Sequence, residues 1–140
     1  MKKYYFAHPV ESRKKLREWE LNIEKRAAID LANPFYDIKR PDIELLDRGV
    51  KNWRIWSAKK IVETDIGLIA KARDGLLVLL DENVAVGALQ EMVYAKFGRR
   101  KVFSVVMCDK FRDHPWIKYH SDKIFKNLVE LEKYLLDRRK

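Results

Sequence analysis

The chain has 140 residues, 47% hydrophobic and 36% charged, with a net charge of +9. Six Phe, four Trp and six Tyr exclude a disordered chain, and no apolar run approaches the length that crosses a bilayer. A lone cysteine, Cys108, excludes an internal disulfide and points to a reducing compartment, so one cytoplasmic domain over residues 1–140 is expected. The basic excess lies in residues 1–60 and 101–140, on patterns that resemble solvated helix faces, whereas 61–100 is close to neutral. No RGG tract, zinc-finger spacing or aromatic RNP segment accompanies it, so nucleic acid is not the expected partner.

In chain order, Lys3 to Ala7 is an aromatic, apolar run closed by His8 and Pro9, the signature of a first strand. From Val10 to Arg26, Leu16, Trp19, Glu20 and Ile23 recur at helical spacing. Ala28 to Leu31 reads as a second strand running into the Asn33-Pro34 turn, and residues 37–50 as irregular with one helical turn at Ile43 to Leu46. A long helix is expected from Trp53 to Arg73. Gly75 to Leu80 is apolar on both faces, as a central strand of a parallel sheet must be. A helix from about Val84 to Phe97, ended by Gly98, and a buried strand from Lys101 to Met107 follow. Trp116 to His120 is expected as a short final strand, with Ser121 and Asp122 capping a last helix to about Asp137.

Alternating strands and helices predict an α/β fold: an open, mostly parallel sheet of four to five strands with helices on both faces. Ligands of such sheets bind at the carboxyl ends of the strands. That rule selects His8 and Pro9, Asn33 to Tyr36 including Phe35, Asp81 to Gly87, and Cys108 with Asp109. On the helix 84–97, Val84, Gly87, Ala88, Glu91 and Ala95 share one face, where a carboxylate among small residues admits a ligand closely. The helix start is expected to favour its charge. The opposite stripe, Val86, Leu89, Val93 and Phe97, is expected to face the core. Asp81 reads equally as a capping side chain and as an acceptor for a ligand hydroxyl. Tyr5 reads most simply as core, with a hydroxyl that needs a partner. His114, His120 and the single Cys lack metal-ligand spacing, and no GxGxxG, GxxxxGK[ST] or GxSxG motif occurs, so no cofactor or metal is expected.

The strand Gly75 to Leu80, the Gly87-x-x-x-Glu91 helix start, Tyr94-Ala95 and Gly98 to Val102 resemble, in order and spacing, the nucleoside 2-deoxyribosyltransferase family. Tyr5 to Pro9 is similar to that family's opening strand and loop, Asn33 to Asp37 to its second-strand exit, and Asp65 to its acidic position before the central strand. The likeness covers roughly residues 3–107 and implies a flavodoxin-like fold. It also implies base exchange on 2′-deoxynucleosides, with Glu91 as nucleophile, Tyr5 orienting it, and Asp65 as the acid near the nucleobase. His8, Pro9, Phe35, Asp81 and Gly87 become substrate-binding candidates. A nucleoside or nucleotide and a free nucleobase are the implied ligands, and a homo-oligomer the implied assembly. One position departs from the pattern: Ala85 stands where the transferases carry Asp and the related deoxynucleoside monophosphate N-glycosidases Ser. Hydrolysis of monophosphates and non-catalytic nucleotide binding are therefore the competing expectations.

Overall fold

The computed structural model describes residues 1–83 and 85–139. Its strands are β1 (Lys2–Ala7), β2 (Ile29–Ala32), β3 (Gly75–Leu80), β4 (Val102–Val106) and β5 (Lys123–Phe125). They form one sheet in the order β2-β1-β3-β4-β5, and every pairing is parallel. The order 2-1-3-4-5 is that of the flavodoxin-like doubly wound sheet. The main crossovers are α1 (Arg13–Ala27), entered by a tight turn at Val10–Ser12, α3 (Ala58–Lys71), α4 (Val86–Phe97) and α6 (Pro115–His120). A short helix α2 (Pro41–Asp47) precedes α3, a single turn α5 (Asp109–Arg112) precedes α6, and α7 (Leu128–Asp137) closes the chain. Among the described residues, no helix is long and apolar enough to cross a membrane.

Every residue of β3 is buried, which is why its sequence is apolar without alternation. Side chains alternate between two cores. Tyr4, Phe6, Leu77, Leu79 and Phe103 pack with Leu16 and Ile23 of α1 and Leu131 and Leu135 of α7. Tyr5, Ala7, Leu76, Val78 and Leu80 pack on the other side with Ile69 of α3 and Ala88 and Met92 of α4. Tyr5 thereby stands on the α3 and α4 side of the sheet, the same side as Asp65 and Glu91.

Gly75, at the start of β3, has φ +131°, and a Cβ there would lie 2.5 Å from the Lys101 carbonyl oxygen. That oxygen accepts the Leu76 N–H at 2.8 Å, so neither strand can move aside without breaking the β3–β4 ladder. Gly75→Ala is expected to cost roughly 2–4 kcal/mol, from backbone strain and overpacking together. A urea midpoint equal to that of the parent would contradict this.

The structure corrects the sequence reading at several elements. Trp116 to His120 is helical, because Pro115 occupies the first helical position, where no N–H is needed, and His114 caps the Trp116 N–H at 3.3 Å. The last strand is instead Lys123–Phe125. Ser121 and Asp122 tie it to β4: the Ser121 and Ser104 hydroxyls bond at 2.7 Å, and the Asp122 carboxylate accepts the Val102 N–H at 2.8 Å. Asn127 caps α7, accepting the Glu130 N–H at 2.9 Å. The long helix starts at Ala58, capped by Ser57, and leaves Trp53 and Trp56 in the loop before it. Within 37–50, helix extends over Pro41–Asp47.

The core face of α4 is shifted from the expected stripe, of which Leu89 packs against the core but Val86 and Phe97 do not. Ala88, Met92 and Ala95 are buried, while Val86 is 63% and Phe97 83% exposed. The small residues let the helix lie close on the sheet, so the face that carries Glu91 is the packed one. Val84, which the pattern places on this helix, lies outside the described residues.

Candidate active site

A cleft of about 510 Å³ opens at the carboxyl end of β1, between the β1–α1 loop, the segment leading into α3, and the start of α4. Tyr5, His8, Pro9, Phe35, Asp65, Gly87 and Glu91 all line it. These residues come from separate stretches of the chain, and the doubly wound topology brings them to one place. Asp81 does not line the cleft. Its carboxylate accepts the Ser12 hydroxyl at 2.8 Å and the Asn83 N–H at 2.9 Å, with the Lys15 ammonium 3.6 Å away. These bonds hold the start of α1 against the end of β3. Burial works to raise the Asp81 carboxyl, but the hydrogen bonds outweigh it and keep the group below its usual value.

At the cleft floor the Tyr5 hydroxyl donates to Glu91 Oε2. Burial pushes the Glu91 carboxyl up to about 8; the Tyr5 bond opposes that rise and the Asp65 charge adds to it. Burial raises the Tyr5 hydroxyl well above its ordinary value, and the Glu91 charge adds to this, so Tyr5 remains a donor. Asp65 is pushed up to about 6 by burial, with Arg40 opposing, and its Oδ1 is buried without a partner among the described residues. The helix start does not hold Glu91 ionised: Glu91 is the sixth residue of α4, beyond the turn over which the terminal dipole acts. The site is thus a pair of carboxyls reluctant to ionise, one carrying a tyrosine donor aimed at it.

Such burial has a consequence for stability. The unfolded chain releases the Glu91 proton near the ordinary value of 4.5, and the folded chain near about 8. Folding therefore favours the protonated form, and stability falls as pH rises from about 4.5 to about 8. Glu91→Gln, which cannot ionise, is expected to gain stability relative to the parent progressively over that window. A difference in melting temperature that stays constant with pH would contradict it.

The opposite wall carries residues that sequence reasoning missed. Arg40 is 6% exposed and binds Asp42 twice, through Nε at 2.8 Å and Nη2 at 2.6 Å. Its guanidinium lies 4.5 Å from the centre of the Trp56 ring and 5.8 Å from that of Phe35. Trp53 and Arg54 complete this side. The available signal was a pair of tryptophans in an otherwise polar stretch, together with Arg40-Pro41-Asp42 before a helix. Neither says which end of the sheet the loop covers.

Trp116, Tyr119 and His120 line other cavities, beside Val93 on the outer face of α4. Among the described residues, no group of three or more His, Cys, Asp or Glu side chains is placed to hold a metal ion.

No family model matches the chain, and no curated protein matches it. Among solved structures it is similar to a conserved protein from Enterococcus faecalis V583, at 16% identity over 99% of each chain and a TM-score of 0.68. A likeness at that identity shows the fold alone.

Proposed function

We propose that this chain transfers N-glycosyl groups of 2′-deoxynucleosides, exchanging one nucleobase for another through a covalent glycosyl–Glu91 ester. The observation that carries the reading is the cluster at the cleft floor, in which Glu91 accepts from Tyr5 and lies within the electrostatic reach of Asp65. The fold hosts many functions and adds nothing specific.

In the proposed reaction, the Glu91 carboxylate attacks the anomeric carbon as the bond to the base breaks, through a transition state with oxocarbenium character. The Tyr5 hydroxyl holds Oε2 and so fixes the direction in which the other oxygen faces the sugar. Asp65 supplies the proton that lets the base leave as a neutral molecule. A second base then gives its ring N–H proton to the ionised Asp65 and attacks the anomeric carbon, breaking the bond to the Glu91 oxygen, so that a new glycosidic bond forms and Glu91 leaves as the carboxylate. Of the two carboxyls Asp65 ionises first, whereas attack requires the reverse. The proton must therefore pass from Glu91 to Asp65, or to the substrate, as the positively charged sugar forms beside the carboxylate.

The test is chromatography of the protein with deoxyinosine and free adenine, and separately with deoxynucleoside monophosphates. Deoxyadenosine is the expected product. Free base released from the monophosphates alone would replace the proposal with an N-glycosidase acting on nucleotides. Ligand-induced stabilisation without turnover would mean a non-catalytic binding module. We propose a homo-oligomer as well, supported by the exposed Phe97, Trp116 and Tyr119 (83%, 67% and 71%) on the outer side of α4 and α6.

A further inference from the structure

Behind the cleft wall runs a buried chain of polar side chains that the proposed reaction does not use. His8 Nδ1 lies 2.8 Å from the Pro9 carbonyl oxygen, which can only accept, so Nδ1 carries the proton. His8 Nε2 lies 3.0 Å from Asn33 Nδ2. The amide of Asn33 cannot be turned round, because its Oδ1 accepts the Phe35 N–H at 2.9 Å. Nδ2 is therefore the donor, and His8 Nε2 accepts. The same Nδ2 donates its other hydrogen to Glu20 Oε2 at 3.0 Å, and Arg17 reaches that oxygen at 3.1 Å. Asn33 and Glu20 are both fully buried.

We propose that Asn33 is a positioning residue of this site: its single amide sets both the tautomer of His8 and the place of Phe35. The two rings pack at a tilt of 53° with centroids 5.2 Å apart, and both line the cleft. A proton on Nε2 would meet the Asn33 N–H head on, so the ring stays uncharged. Burial acts in the same direction, holding His8 down at about 4. Of the charged groups acting on His8, Asp81 at the end of β3 favours protonation and Arg13 on α1 opposes it. Glu20 touches it only through Asn33. The consequence for catalysis rests on the glycosyl-transfer reading: a neutral wall leaves the developing sugar cation unopposed, whereas an imidazolium would repel it.

Asn33→Asp reverses the arrangement while keeping an acceptor for the Phe35 N–H. It places a carboxylate oxygen against both His8 Nε2 and Glu20 Oε2, so that His8 takes a proton and Glu20, which burial already holds up at about 7, faces the new oxygen as a neutral carboxyl. Imidazole nitrogen resonances are read by NMR in the parent and in the variant, between about pH 5 and about pH 8. The parent is expected to hold one neutral His8 tautomer, protonated at Nδ1, throughout. The variant is expected to show an imidazolium at neutral pH. It should also lose at least about tenfold in kcat/KM there and recover as the pH rises, a profile that lost stability alone would not produce. A parent His8 that titrates in this range, or carries its proton on Nε2, overturns the proposal; so does a variant with the parent's tautomer and pH profile. The resonances of the parent need neither turnover nor a folded variant, so failure here is distinguishable from failure of the glycosyl-transfer reading.

Discussion

Glu91→Gln is expected to abolish base exchange, by about 10⁴-fold or more, while leaving the fold intact. The amide oxygen of Gln still accepts from Tyr5, so the cleft floor keeps its geometry and loses only the nucleophile. Catalysis in this scheme has no substitute for that oxygen: without the ester, the second base must meet a free sugar cation, which water intercepts first. The pH dependence follows from the two carboxyls together. With burial holding Asp65 at about 6 and Glu91 at about 8, and one proton required between them, kcat/KM of the parent is expected to reach a plateau from about pH 6 to about pH 8 and to fall on either side. A Glu91→Gln protein with parental turnover would refute the mechanism, as would turnover that falls steadily across that range.

Asp65→Asn is expected to lose about 10²–10³-fold on an ordinary purine deoxynucleoside, because the base must then leave as an anion. The loss should depend on the leaving group. A purine already methylated at N7 departs as a neutral molecule without protonation, and on such a substrate the variant should fall less than about tenfold. Equal losses on both substrates would remove Asp65 from the role of acid and leave it a structural carboxyl. The geometry gives this residue its suitability. Asp65 lines the cleft from α3, its Oδ1 is buried without a partner among the described residues, and burial holds the group up at about 6, near the working pH.

Much of the site was legible in the amino-acid sequence. Glu91 stood out because a carboxylate followed Gly87 and Ala88 at helical spacing, and His8 because it ended an apolar strand; Tyr5 read by itself as core, and the family resemblance singled out both it and Asp65. What periodicity misjudged was the packing of α4. It assigned the larger side chains Val86 and Phe97 to the core, whereas the helix packs through Ala88, Met92 and Ala95. A stripe of large apolar residues and a stripe of small ones both satisfy the period; only the distance available between helix and sheet chooses between them. Asp81 shows the same ambiguity in a polar residue. Its position at the end of β3 suited a ligand as well as a cap, and its partners, Ser12 and Asn83, occupy both of its oxygens.

The parallel α/β sheet follows from residue order alone, since a strand buried on both faces must be apolar throughout. The carboxylates and the tyrosine available for chemistry are likewise there to be read along the chain. Long-range packing, by contrast, is what brings Arg40, Asp42 and the two tryptophans of the 48–57 segment over the cleft, because no local period governs where a loop folds back. Packing also sets the protonation of Glu91, Asp65 and His8. A carboxyl or imidazole takes its proton affinity from the water it has lost and the partners it has gained, and both come from residues far away in the chain.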